Sequence, residues 1–215
     1  MEPEAKAICM EYNIPITKFN VAKSEADAAI FAGEIGFPVV LKIVSPDIIH
    51  KSDAGGVLVN LKTAEEVKAG YRKILENAKK YKADAAIVGV LVQEMAPQST
   101  EVIIGAVKDP QFGQTLMFGL GGIFVEVFEE VALRVAPITP KDAKEMIGQL
   151  RGAPILMGTR GHKRSDIEAV AEALLRLSRL LSDFPEIQEI DINPLRVFHE
   201  KDGCCALDAR VHLAR

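Results

Sequence analysis

Residues 45–57 read Ser-Pro-Asp-Ile-Ile-His-Lys-Ser-Asp-Ala-Gly-Gly-Val, and they follow the aliphatic run Pro38-Val39-Val40-Leu41-Lys42-Ile43-Val44. A short run of branched aliphatics is the pattern of a strand buried on both faces, and such a strand usually excludes charge. Lys42 therefore has two readings. It snorkels or sits at an edge, as most buried-looking lysines do, or its ammonium is held against a phosphate. Gly55-Gly56 admits close approach of backbone N–H groups to an anion, or simply forms a hairpin turn. The spacing G-x-x-x-x-G-K-[ST] of a Walker A loop is absent, and so is a dinucleotide fingerprint. His50, flanked by Lys51, Ser52 and Asp53 on a polar loop, is either an ordinary exposed histidine or a phosphoryl acceptor, because an imidazole nitrogen is a good nucleophile toward phosphorus.

Outward from this stretch the chain alternates helix and strand. Helices are expected over 3–13, from Ser24 to Gly36 and from Thr63 to Lys80, with cap patterns at Ser24 and Thr63. Strands are expected at 17–22, 39–44, 56–61 and 88–95. Beyond the break at Ala96-Pro97-Gln98 the pattern becomes an antiparallel group, 101–107, 115–120 and 132–136, punctuated by the turn Lys108-Asp109-Pro110-Gln111-Phe112-Gly113. Helices at 140–149 and 166–182 follow, then a strand pair, 187–198 and 204–211. Two lobes are expected, residues 1–97 and 98–215.

Composition bounds the function. The 215 residues are 48% apolar with a net charge of −4, a globular chain with a sizeable core. Neither a basic stripe for nucleic acid nor a polybasic segment for a membrane is present. The three cysteines, Cys9, Cys204 and Cys205, have neither zinc-ligand nor thioredoxin-like spacing. Reduced thiols of a cytoplasmic protein are expected.

Three further clusters carry candidate chemistry. In Glu189-Ile190-Asp191-Ile192-Asn193-Pro194-Leu195, strand alternation puts Glu189, Asp191 and Asn193 on one face and the isoleucines on the other. A hairpin about Asp202-Gly203 sets Asp208 beside Asn193. Such oxygen donors suit magnesium, or form a solvated polar face with nothing bound. Gly119-Leu120-Gly121-Gly122, followed by Glu126, is a tight turn or a second backbone approach to a ligand. Arg134 is a second cation for phosphate, or a partner for Glu126 or Glu129. No Ser-His-Asp or Cys-His order stands out.

In this order the clusters resemble an ATP-grasp protein, and more narrowly the beta subunits of ADP-forming acetate–CoA ligases within the nucleoside-diphosphate-forming acyl-CoA synthetases. The resemblance runs through Asn13-Ile14-Pro15, FPVVLKIVSPDIIHKSDAGGV, VLVQEM, EVIIGAVKDPQFGQTLMFGLGGIFVEV, RVAPIT, EIDINPL and ALDAR. The start is about one helix shorter than the resemblance implies. It implies an α/β (α+β) ATP-grasp fold, two lobes with nucleotide bound between them. It assigns Lys42, with Gly55 and Gly56, to nucleotide phosphates. His50 becomes a second phosphohistidine between an active-site histidine on a CoA-binding alpha subunit and ADP. Asp191 would orient that histidine, and Asn193 and Asp208 would be magnesium ligands. Gln93, Glu94 and Met95 would meet adenine and Glu101 the ribose, with Arg134 and Glu126 as further carry-overs. The implied cofactors are ATP/ADP and Mg²⁺, the implied assembly is α2β2, and the acyl group stays open. Another ATP-grasp enzyme forming an acyl phosphate, or a nucleotide-binding subunit without chemistry, remain the alternatives.

Overall fold

Why a lysine is tolerated in a buried strand becomes clear from the sheet that holds it. The structure, a computed structural model, describes residues 1–122, 130–158 and 163–214. Its contacts divide the chain into two units, one of Thr17–Pro97 with Met1, the other of Glu2–Ile16 with Gln98–Arg215.

The first unit is an antiparallel four-stranded sheet with two helices. Strands β1 (Phe19–Ala22), β2 (Val39–Val44), β3 (Val57–Leu61) and β4 (Gly89–Glu94) run in the order β1-β4-β2-β3. Helices α2 (Glu25–Ile35) and α3 (Ala64–Tyr81) start where their caps dictate. Ser24 Oγ accepts from the Asp27 N–H at 3.1 Å, and Thr63 Oγ1 accepts from the Glu66 N–H at 3.2 Å. Each cap satisfies an amide that the first helical turn leaves without a partner. Both helices cover one face of the sheet. Val39, Leu41 and Ile43 of β2 join Val90 and Val92 of β4 with Ala28, Ala32, Val67 and Ile74. Alternation puts Val40, Lys42 and Val44 on the other face.

The second unit carries a larger antiparallel sheet. Strands β5 (Thr100–Asp109), β6 (Gly113–Leu120), β7 (Val131–Val135), β8 (Ile187–Val197) and β10 (Ala209–Leu213) are ordered β10-β8-β5-β6-β7, and the short β9 (Cys204–Ala206) also pairs with β8. Helices α4 (Pro140–Gly148), α5 (Ala153–Met157) and α6 (Ile167–Asp183) belong to this unit. Leu174, Leu177, Leu180 and Leu181 of α6 and Met146 and Ile147 of α4 pack against Ile104, Leu116, Phe118, Ile190 and Ile192. The Lys108–Gly113 turn forms as read: Asp109 Oδ1 accepts from the Gln111 and Phe112 amides at 2.7 and 2.9 Å, and Gly113 takes φ +78°.

The N-terminal helix departs from the expected 1–97 lobe. Helix α1 (Glu2–Glu11) buries Ala5 and Cys9 in the core of the second unit, together with Ile14. The segment after it is tied there too, because the Ala206 N–H donates to the Pro15 carbonyl at 2.8 Å and Tyr12 Oη to Asp183 at 2.7 Å. Apolar burial, not sequence proximity, decides which unit a terminal helix joins.

The expected strand 204–211 is two strands. β9 pairs Leu195 with Ala206, and β10 pairs Ile192 with Ala209, with Leu207 and Asp208 between them. On the other side of β8 the register slips by one, from Val102↔Leu195 to Ile104↔Ile192. Asn193 and Pro194 together thus oppose Ile103, the arrangement of a β-bulge, which bends a strand and re-aims a side chain. The buried positions shift parity across it, from Ile190 and Ile192 to Leu195 and Val197.

Candidate functional site

The histidine loop is fixed at both ends. At its start, Ser45 Oγ donates to the Ala86 carbonyl at 2.7 Å and accepts from the Asp47 N–H at 3.1 Å. Asp47 Oδ2 accepts from the Ala86 N–H at 2.7 Å and Oδ1 from Lys82 Nζ at 3.2 Å. The Ala86 amide, then the Lys82 ammonium, hold the Asp47 carboxyl below its ordinary value. Ile48 is buried beside this clamp, while Ile49 and His50 are exposed. That exposure leaves the imidazole where it can meet another molecule.

At its far end the loop closes on itself. The amides of Ala54, Gly55 and Gly56 donate to the carbonyls of His50, Ser52 and Lys51 at 3.2, 2.9 and 2.7 Å. The two glycine N–H groups, expected to face an anion, are therefore spent inside the loop. The pair is required by packing instead. Gly55 takes φ +59°, and a Cβ there would lie 2.8 Å from Asn77 Nδ2. A Cβ on Gly56 would lie 2.5 Å from Ile43 Cγ2. Asn77 of α3 donates from Nδ2 to the Gly55 carbonyl at 2.9 Å and ties the loop to the helix.

Lys42 is 8% exposed, opposite Leu91 and Val57, with Gln93 diagonal to it on the same face of the sheet and 2% exposed. That face is the one away from α2 and α3. Glu94 ends β4 with its carboxylate accepting the Lys18 N–H at 3.2 Å, and the amides of Glu94 and Met95 donate to the Lys18 and Pro38 carbonyls at 2.9 and 3.3 Å.

In the second unit the β8 alternation is as expected. Glu189 and Asn193 are exposed and Asp191 is half-buried, while Ile190 and Ile192 are sealed in the core. The Asn193 N–H donates to the Asp208 carbonyl at 3.3 Å, so the hairpin does set the two residues side by side. Arg210 sits opposite Asp191 in register. Burial raises the Asp191 pKa, Arg210 opposes the rise, and the negative charges of Asp208 and Glu189 add to it. Among the described residues no cluster of three or more His, Cys, Asp or Glu forms a full metal cage. One carboxylate and one amide oxygen still fit Mg²⁺, which is bound by few protein oxygens and keeps waters and substrate phosphates.

Two further residues expected at the site have partners of their own. Glu101 faces Arg196 across β5 and β8, with Oε1 accepting from Arg196 Nε at 3.2 Å and Nη2 at 3.0 Å. The glycine turn leans on the same residue: the Gly121 N–H donates to the Glu101 carbonyl at 2.7 Å, and a Cβ on Gly121 would meet the Glu101 backbone at 3.0 Å. Arg196 was not singled out in the sequence, because the bulge moves it onto the polar face. Arg134, expected as a phosphate cation, is turned the other way. Its Nη2 donates to Gln149 Oε1 at 2.8 Å and lies 3.8 Å from Glu145 Oε2 of α4. It shares the helix-covered side of the sheet with Ala132, across from Leu116. It is not brought together with Asp191, Asn193 and Glu101. Glu126 and Glu129 lie outside the described residues.

With this geometry in place, comparison with known proteins is informative. The model of an ATP-grasp domain family matches residues 1–213. The "Acetate--CoA ligase [ADP-forming] I subunit beta" of Pyrococcus furiosus is 53% identical over 213 residues, 99% of this chain and 91% of that protein. The chain belongs to the ATP-grasp family of ADP-forming acetate–CoA ligase beta subunits. An acetyl-coenzyme A synthetase of Ca. Korarchaeum cryptofilum, solved with coenzyme A, Ca-AMPCP and HgCl+, superposes on this ATP-grasp chain with a TM-score of 0.95 at 50% identity, covering 99% of it and 92% of that chain. Another structure of the Korarchaeum protein, with coenzyme A and Mg-AMPPCP, has its phosphohistidine segment pointing towards the nucleotide binding site; it matches with a TM-score of 0.87 at 46% identity, covering 100% of this chain and 92% of that one. The ATP-grasp fold accounts for both sheets. Among the described residues no helix is long and apolar enough to cross a membrane.

Proposed function

We propose that this ATP-grasp chain is the nucleotide-binding beta subunit of an ADP-forming acyl-CoA ligase, working with a CoA-binding alpha subunit in an α2β2 assembly in the cytoplasm. The net reaction is acyl-CoA + ADP + phosphate ⇌ carboxylate + ATP + CoA. The acyl and CoA steps belong to the partner. This chain handles the nucleotide and the final phosphoryl transfer.

In the ATP-forming direction, His50 carries the phosphoryl group on a ring nitrogen. A β-phosphate oxygen of ADP attacks the phosphorus; the P–O bond forms as the P–N bond breaks, and the electron pair returns to the imidazole. Phosphoryl transfer of this kind depends on positioning and charge neutralisation. Lys42 supplies a cation to the phosphates, and Asp191 orients the imidazole through its free ring nitrogen. Gln93, Glu94 and Met95 border the adenine, and Glu101, held by Arg196, reaches the ribose. Asn193 and Asp208 would hold Mg²⁺, which neutralises phosphate charge when bound.

The observation that carries this reading is the exposed imidazole of His50 on a loop anchored at both ends, following the strand that presents Lys42. Its test is His50→Ala in the complex with the alpha subunit. ATP formation should be abolished while ATP binding, measured by calorimetry, is kept. Full turnover in that variant would remove the relay.

A further inference from the structure

We propose that Asn77 of α3 is a positioning residue for His50: by pinning the glycine end of a loop whose other end is pinned by Asp47, it presents the imidazole from a fixed frame on which phosphorylation of that residue depends. The inference rests on the relay reading of His50 and adds a residue, and a physical demand, that the relay alone does not contain.

The frame is visible bond by bond. Between Asp47 and Gly56 the chain is held at its start by the Ala86 amide and the Lys82 ammonium, and in its middle by the three backbone bonds from Ala54, Gly55 and Gly56. Ile48 and Ala54 are buried on either side of the exposed Ile49 and His50. Asn77 of α3 is bonded to the loop's glycine end, through the Gly55 carbonyl at 2.9 Å. Gly55 stands at φ +59°, which favours glycine, and a Cβ there would lie 2.8 Å from Asn77 Nδ2, so the amide would have to leave its place. The amide side chain and the missing methyl are thus two halves of one fit.

A loop built this way does not act as a long arm. Moving the backbone of His50 by more than a small distance breaks the Ala54 bond to its own carbonyl and then the Gly55 and Gly56 bonds. The imidazole turns about its side-chain torsions but its base stays put, and the other reactant has to arrive at it. For an in-line transfer, in which the γ-phosphorus of ATP gains a P–N bond as the P–O bond to the ADP β-phosphate breaks, a displacement of about an ångström costs roughly a hundredfold in rate. Nucleotide affinity is set by other groups and does not feel that displacement.

The experiment uses the complex with the CoA-binding subunit and ATP labelled in the γ-phosphate. Rapid quench measures acid-labile label on this chain, with His50→Ala as the blank, and calorimetry measures ATP affinity. Asn77→Ala and the isosteric non-donor Asn77→Asp should label roughly 10- to 100-fold more slowly than wild type, with ATP affinity unchanged. Asn77→Gln, which keeps the donor, should recover part of the rate. Hydrogen exchange at the Gly55 and Gly56 amides should quicken in the slow variants only. Labelling at the wild-type rate in both Asn77→Ala and Asn77→Asp overturns the positioning role and leaves the relay standing. Absence of label on His50 in the wild-type complex overturns the relay, and this inference with it. If Asn77→Ala does not fold, the same rate comparison between Asn77→Asp and Asn77→Gln decides.

Discussion

Adding one methyl at Gly55 gives the sharpest test of how the histidine loop is held. Gly55→Ala perturbs two things that the structure separates. At φ +59° an L-residue suffers left-handed strain, worth about 1–2 kcal/mol. The new Cβ also lies 2.8 Å from Asn77 Nδ2 and 3.3 Å from its Cγ, so the amide must withdraw from the Gly55 carbonyl. The hydrogen bond given up is worth about 0.5–1.5 kcal/mol. Together the substitution costs roughly 1.5–3.5 kcal/mol, large against total stabilities of about 5–15 kcal/mol. In the Asn77→Ala background the clash and the bond are both already gone, so Gly55→Ala should cost only the backbone strain. The double variant is therefore less destabilised than the sum of the singles, by about 1 kcal/mol. Urea unfolding followed by far-UV circular dichroism suits a chain without tryptophan, with unchanged m-values required before the free energies are compared. A Gly55→Ala variant within about 0.5 kcal/mol of wild type, the range of ordinary surface changes, would show that the loop is not packed as described. Strict additivity in the cycle would show that Asn77 and Gly55 do not meet.

Two further outcomes follow from the second unit. Arg134→Gln removes contacts to Gln149 and Glu145 on a half-exposed edge; it should lower stability by at most about 1 kcal/mol and leave nucleotide affinity unchanged in calorimetry, whereas weakened ATP binding at unaltered stability would restore the arginine to the nucleotide site. Burial pushes the Cys9 and Cys204 thiols up to about 12, so both stay neutral and unreactive through the alkaline range while half-buried Cys205 is the one available to a thiol reagent. Because these folded-state values exceed the unfolded one, their contribution to stability is complete below the unfolded thiol value of 9.0 and declines as pH rises toward about 12; a native protein that titrates all three thiols quickly at neutral pH would contradict the burial.

Where local chemistry decides structure, the sequence was legible. Ser24, Thr63 and the Asp109 turn act through side-chain bonds to amides two or three residues away, and each forms as read. The face of β8 was legible for a similar reason, since alternation is a property of the strand alone. What was not legible depends on partners distant in the chain. Helix α1 joins the second unit because its apolar side meets that unit's core. Arg134 reads as a cation for phosphate or a partner for Glu126 or Glu129, but among the described residues β7 ends its sheet, and there an inward position meets the polar rim of α4 rather than hydrocarbon. Parity with the sealed Ala132 would have been the signal. Arg196 was hidden by the bulge at Asn193-Pro194, which no pattern of period two foretells.

The glycine pair is the instructive case, because its bland and its functional readings predict the same residues for different reasons. A loop that cradles an anion needs N–H groups pointing outward. Here both are turned inward, and the absent side chains make room for Asn77 and Ile43. Glycine is thus demanded by the packing that steadies His50, before any ligand is considered. On the relay proposed above, phosphate charge near this loop would be met by side chains, Lys42 first among them, and the loop's own contribution would be geometric. The imidazole of the proposed relay needs a steady mount as much as it needs nearby charge, and the bonds of Asp47 and Asn77 supply one.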